Sequence, residues 1–171
     1  MDAGAVHVAD AGIADREDAH SPEVCRRLAA ADLVWFAGGD YGALYDRLWA
    51  TPALDAIRHA HERGAVVGGF SAGATVWGAG ALSSFASDDE PEPFPLFGWL
   101  DDLVIFAHYF PVREGEFRAR VAAFPGCRGL GLAHGGAVVV GPEGELVSLR
   151  AGSDGSRNVV LSRPDQPVVV L

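Results

Sequence analysis

Residues 63–78 read RGAVVGGFSAGATVWG: an apolar run, two glycines, one serine and then a run of small residues. The segment "AVVGG" (65–69) has the apolar, β-branched character of a buried strand. The small residues from Ala72 onward suit a helix packed closely on a sheet. Between them, Gly69-Phe70-Ser71-Ala72-Gly73 is a complete G-x-S-x-G, the pattern of a sharp strand-to-helix turn with the serine oxygen exposed at its tip. Glycines two residues to either side let the backbone bend without side-chain clashes. Amides and the dipole at the start of the helix favour the negative charge that develops in acyl transfer. The competing reading is a tight turn whose serine only caps the helix.

Working outward, the same alternation recurs. "AVHVA" (5–9) predicts a short strand. Ser21-Pro22 predicts an N-cap with proline at the first helical position, opening a helix to about Ala30. "DLVWFA" (32–37) reads as a buried strand stopped by Gly38-Gly39, and "YGALYDRLWA" as a short helix. Thr51-Pro52 opens a further helix with Leu54, Ile57 and Ala60 on one face, ending at Gly64. "SSFASDDEPEPFPLF" (83–97), with four carboxylates and three prolines, reads as a loop. "LVIFA" (103–107) is a strand, "EGEFRARVAAF" (114–124) a helix and "GLGL" (129–132) a strand. AVVVG, "ELVSLR", "NVVLS" and "PVVVL" are short β-rich runs separated by turns such as "GPEGE".

This order implies an α/β domain, one unit over residues 1–171. Its sheet is expected to be twisted and mostly parallel, with helices on both faces and antiparallel hairpin strands at the C-terminal edge. In such sheets ligands bind beyond the carboxyl ends of the strands. The loops after residues 37, 69, 107 and 132 are therefore the ones to search.

Composition narrows the function. The chain has 171 residues, 49% of them apolar, enough for one sizeable core. Its net charge is −10 and all 13 basic residues are arginine, scattered rather than clustered, which argues against nucleic acid or an anionic membrane as the main partner. No apolar run approaches a membrane span, and the acidic N-terminus lacks a signal-peptide layout, so the expected location is the cytoplasm. Cys25 and Cys127 fit neither a disulfide framework nor a metal site. No cofactor and no metal is expected: the chain has no lysine for a phosphate loop, and its histidines lack metal-ligand spacing.

A nucleophilic serine needs a base. Of six histidines, His59 and His61 lie on a polar helix, His20 precedes a helix and His7 falls in the first strand. His108 and His134 directly follow strands on the predicted functional edge. Gly38-Gly39-Asp40 ends the neighbouring strand, where a glycine amide can approach a bound carbonyl closely.

Together, "FAGGDYGALYDRLWATPALDAIRHAHERGAVVGGFSAGA" (36–74), "LVIFAHYF" (103–110) and "GLGLAHGGAVVV" (129–140) resemble the peptidase E and cyanophycinase group of serine peptidases, in order, from about residue 30 to 150. The resemblance implies a class I glutamine amidotransferase-like fold and a hydrolase of short peptides. It implies Ser71 as nucleophile and His108 as general base, with the amides of Gly39 and Ala72 as oxyanion donors. Where the group carries an acid after the "GLGL"-like strand, this chain carries His134. A histidine can orient another imidazole but brings no full negative charge, so weaker catalysis is expected, and Asp89 in the acidic loop is the alternative third residue. The arginine that reads a substrate carboxylate in aspartyl dipeptidases has no clean counterpart among Arg113, Arg118 and Arg120, and Phe117 stands near its place. Aspartyl specificity is therefore not implied. The front of the domain is short relative to the group, which would bare apolar surface and invite a homodimer. A catalytically impaired peptide- or partner-binding relative is the alternative function. An amidotransferase-like enzyme ranks last, because its elbow would hold cysteine.

Overall fold

The computed structural model describes residues 7–82, 92–152 and 155–171. The chain divides into two compact units, Met1–Trp35 with Asp46–Gly68, and Phe36–Tyr45 with Gly69–Leu171.

In the first unit, α1 (Pro22–Ala29) follows Ser21 with proline at its first position. It packs against α3 (Pro52–Glu62) through Val24 and Leu28 on one helix and Ala53, Leu54, Ile57 and Ala60 on the other. Thr51 caps α3 by accepting a bond from the Leu54 amide, as the Thr-Pro start predicts. The expected first strand does not form in its described part: residues 7–9 are irregular and Val8 is 84% exposed. Strand β1 (Leu33–Phe36) pairs with β2 (Val66–Gly69). The Val66 amide donates to Asp32 O and the Phe70 amide to Phe36 O, which fixes a parallel register. β1 is not buried on both sides as its apolar run suggests, since Leu33 and Trp35 are exposed while Val34 and Phe36 are buried. Helix α2 (Tyr41–Leu48) lies between β1 and α3 in the chain, its Ala43 amide held by Asp40 Oδ1.

In the second unit, α4 (Ala72–Thr75) is a single turn. β3 (Gly80–Leu82) pairs antiparallel with β4 (Pro93–Pro95), so part of the predicted acidic loop is strand; residues 83–91, including Asp89, lie outside the described residues. The central sheet runs β10-β9-β6-β5, built from β5 (Leu103–Tyr109), β6 (Arg128–Ala133), β9 (Val159–Leu161) and β10 (Val169–Val170). Its β5–β6 pair is parallel, while β6–β9 and β9–β10 are antiparallel. This corrects the expectation of one mostly parallel sheet: of its three pairings only β5–β6 is parallel, and the C-terminal strands β9 and β10 form its antiparallel edge.

On one face, Phe117 and Val121 of α5 (Glu114–Ala122) pack with Val104, Phe106, Tyr109, Val159 and Leu161. On the other, Leu103, Ile105 and Leu130 meet Val138, Val140 and Leu146 of the antiparallel hairpin β7 (Ala137–Val140) and β8 (Leu146–Arg150). A hairpin thus covers sheet surface where a helix was expected. Asn158, 1% exposed, ties the two layers together. Its Oδ1 accepts from the Ala133 amide, and its Nδ2 donates to Ala137 O, Ser148 Oγ and Arg150 O.

The small-residue run after Ser71 is explained by close backbone approach. A Cβ on Gly73 would lie 2.3 Å from Phe36 O, and one on Gly69 would lie 2.1 Å from Gly73 O. Neither neighbour is a flexible side chain. Gly115 on α5, by contrast, faces open space. Urea unfolding is expected to show Gly73→Ala destabilised by about 1–3 kcal/mol, with Gly115→Ala stabilised by about 0.5–1 kcal/mol. Equal midpoints for the two variants would contradict the close approach.

Candidate active site

Ser71 sits at the turn between β2 and α4 with φ 55 and ψ −118, a backbone conformation that costs a non-glycine residue energy. Its side chain makes no capping bond to the helix, which removes the reading of a simple cap. Its Oγ instead lies 2.9 Å from His108 Nε2. Gly38 lies against this turn, its Cβ position 3.3 Å from both Ser71 Cβ and the Phe70 ring, so the Gly-Gly-Asp loop runs beside the serine. Gly39 has φ 144, which only glycine adopts readily.

His108 reaches Ser71 through a β-bulge. Ala107 pairs with Leu132 and Tyr109 with Ala133, leaving His108 as the extra residue of β5, with φ 56. A bulge breaks the in-and-out alternation and re-aims one side chain. The Phe70 ring meets the imidazole edge-on at 5.7 Å. Arg113 Nη1 donates to the His108 carbonyl at 3.2 Å, bracing the strained residue.

His134 follows β6, where the Ala133 amide is fixed by Asn158 and the Gly136 amide closes back on Ala133 O. Its Nδ1 lies 3.1 Å from His108 Nδ1, and its ring stacks on Phe110 at 6.4 Å. The structure therefore brings Ser71, His108 and His134 into one line.

The other candidates fall elsewhere. Arg113 makes a bidentate pair with Glu116, which Arg120 also engages, and both guanidinium groups lie over the Phe106 ring. Arg118 pairs with Glu114 and donates to the carbonyls of Pro164 and Gln166. Phe117 is fully buried in the core, not placed toward a substrate. His61 contacts Ala65 O, and His59 lies 4.0 Å from Glu62. Cys25 and Cys127 are free thiols, and burial pushes the Cys127 thiol up. Among the described residues no cluster of three or more histidine, cysteine or carboxylate side chains could hold a metal ion, and no helix is long and apolar enough to cross a membrane. Sequence reasoning missed two supporting residues. Arg113 drew attention as a substrate contact and is a backbone brace; Asn158 carried no signal inside a run of strand residues.

Burial is the first cause that lowers the His108 pKa, followed by the proximity of His134 and of Arg113. All three favour the neutral ring, the form with a bare Nε2 able to take a proton. An NMR titration should place the His108 midpoint below the ordinary 6.5. Arg113→Met removes a neighbouring cation, so it should move that midpoint upward. An unchanged or lowered midpoint would show that Arg113 does not act on the ring.

A model of Peptidase family S51 matches residues 9–147. Cyanophycinases from Synechococcus elongatus and from Thermosynechococcus vestitus are each 29% identical over 148 residues, covering 82% of this chain and 46% of theirs. The chain thus spans about half the length of these relatives. The crystal structure of a peptidase from an acI-B1 Actinobacterium superposes with a TM-score of 0.64 at 22% identity, covering 93% of this chain and 61% of that one. At that identity the likeness speaks for the fold.

Proposed function

The chain belongs to Peptidase family S51, and from that premise we propose that it is a serine-type hydrolase of short peptides, with Ser71 as nucleophile and His108 as general base. The observation that carries the reading is the 2.9 Å contact between Ser71 Oγ and His108 Nε2, made by two residues that both hold positive φ. Strain of this kind persists only where the surrounding structure over-determines it, and it collects at functional sites. The finer fold assignment in this reading is the class I glutamine amidotransferase-like one, with the cytoplasm as its location.

In the reaction, Ser71 Oγ attacks the peptide carbonyl while His108 Nε2 takes its proton. The same nitrogen then returns the proton to the leaving amine, and water releases the acyl group by the reverse sequence. The amides of Gly39 and Ala72 are assigned to the oxyanion. α4 is only one turn long, so that assignment rests on individual N–H groups and not on a helix dipole. His134 accepts at Nδ1 and keeps the His108 ring oriented. The three arginines are engaged by Glu116, Glu114 and backbone carbonyls, and aspartyl specificity is not part of the proposal.

A fluorophosphonate probe is expected to label wild-type protein at Ser71 and to leave Ser71→Ala unlabelled. His108→Ala should slow labelling by about 10²–10⁴-fold, the usual contribution of a positioned base. A second reading, a relative that binds peptides without turning them over, is favoured by the histidine at position 134. A folded wild type that is unlabelled and hydrolyses no member of a dipeptide library would select it over the first.

A further inference from the structure

Resting on that reading, we propose that His134 does more than orient His108: it takes a proton from His108 Nδ1 while Ser71 attacks, so that two protons move in the acylation step. The geometry points to this because the two rings face each other Nδ1 to Nδ1 at 3.1 Å. One hydrogen can occupy that contact. His108 Nε2 must be bare to receive the Ser71 proton across 2.9 Å, so neutral His108 carries its hydrogen on Nδ1 and donates it to a bare His134 Nδ1. His134 then carries its own hydrogen on Nε2.

The Oγ–carbon bond forms and the carbonyl π pair moves onto oxygen. The Oγ–H bond breaks and its proton joins His108 Nε2. The His108 Nδ1–H bond breaks and that proton joins His134 Nδ1. The products are a tetrahedral oxyanion, a neutral His108 now protonated at Nε2, and a His134 imidazolium. On collapse, His108 Nε2–H protonates the leaving amine and Nδ1 recovers its proton from His134.

A carboxylate in the third place would not behave this way. Its proton affinity lies about two pK units below that of imidazole, so the proton stays on the histidine. Two imidazoles are matched in kind, and their surroundings favour transfer outward. His108 is partly buried, whereas His134 is exposed. Among the described residues, the charged or titratable groups that act on His108 are His134 and Arg113, the latter paired with Glu116, and the Arg113 guanidinium disfavours a cation on the His108 ring. The Phe70 ring meets His108 edge-on and the Phe110 ring stacks on His134, and neither carries charge.

The test is the rate of Ser71 labelling by a fluorophosphonate in mixtures of light and heavy water. Wild type should give a bowed dependence on deuterium fraction, the mark of two protons in flight. His134→Gln keeps a neutral acceptor but cannot take a proton; it should label more slowly and with a linear dependence. A linear wild-type plot, or curvature that survives in His134→Gln, would overturn the proposal. Nitrogen-15 NMR of the wild type near pH 8 gives an independent readout, with His108 expected as the Nδ1–H tautomer and His134 as the Nε2–H tautomer. The opposite pair of tautomers would also overturn it. If the wild type is not labelled at all, the hydrolase reading fails, and the tautomers still judge the proton arrangement.

Discussion

The contact between Ser71 Oγ and His108 Nε2 exists because two non-glycine residues hold left-handed backbone. Neither conformation is favourable alone, since positive φ costs an L residue of order 1–3 kcal/mol. Each is over-determined by its neighbours. Ser71 is pinned by the backbone packing of Gly69 on Gly73 and of Gly73 on the Phe36 carbonyl, where no Cβ fits. His108 is pinned by ladder pairing on both sides of the bulge and by the Arg113 guanidinium on its carbonyl. The glycines around the serine thus act mainly as absences: they let three backbone segments approach more closely than side chains would permit.

The same arrangement sets the chemistry of the base. Burial, a second imidazole and a nearby arginine all keep His108 neutral. That suits accepting a proton and makes the resulting cation harder to hold. An acid-bearing site resolves this tension with a carboxylate behind the ring. Here the group behind the ring is His134, held at its place by a turn that Asn158 anchors from within the core.

Much of this was legible in the sequence. The Thr51-Pro52 start, the strand ending at Gly69, the elbow serine and His134 just past its strand all follow from local chemistry, and the structure places them where the patterns put them; His108, expected just past a strand ending at residue 107, lies inside β5 instead. The pairing of strands did not follow. Short apolar runs such as "NVVLS" state that a strand exists without naming its neighbour, so the mixed character of the central sheet was hidden. Apolar content likewise misread β1, because Leu33 and Trp35 occupy the outward positions of a strand whose inward ones are Val34 and Phe36. The bulge at His108 depends on one extra residue in a ladder, the Arg113 brace on a side chain reaching back five residues, and the Asn158 anchor on a contact 25 residues away. No periodicity records any of them.

The cost of His134 can be bounded from the ring separation. The two ring centres are 5.3 Å apart, and a unit negative charge at that separation from the developing imidazolium would stabilise it by about 3 kcal/mol at an effective dielectric near 20. Losing that term corresponds to about a 10²-fold slower proton transfer. A neutral ring recovers part of it through the Nδ1–H···Nδ1 hydrogen bond, and more if the cation can settle on the exposed partner, where water solvates it. Exposure of His134 is thus as much a part of the site as its distance from His108. A buried histidine there would orient the base yet leave the positive charge in the poorer of two places.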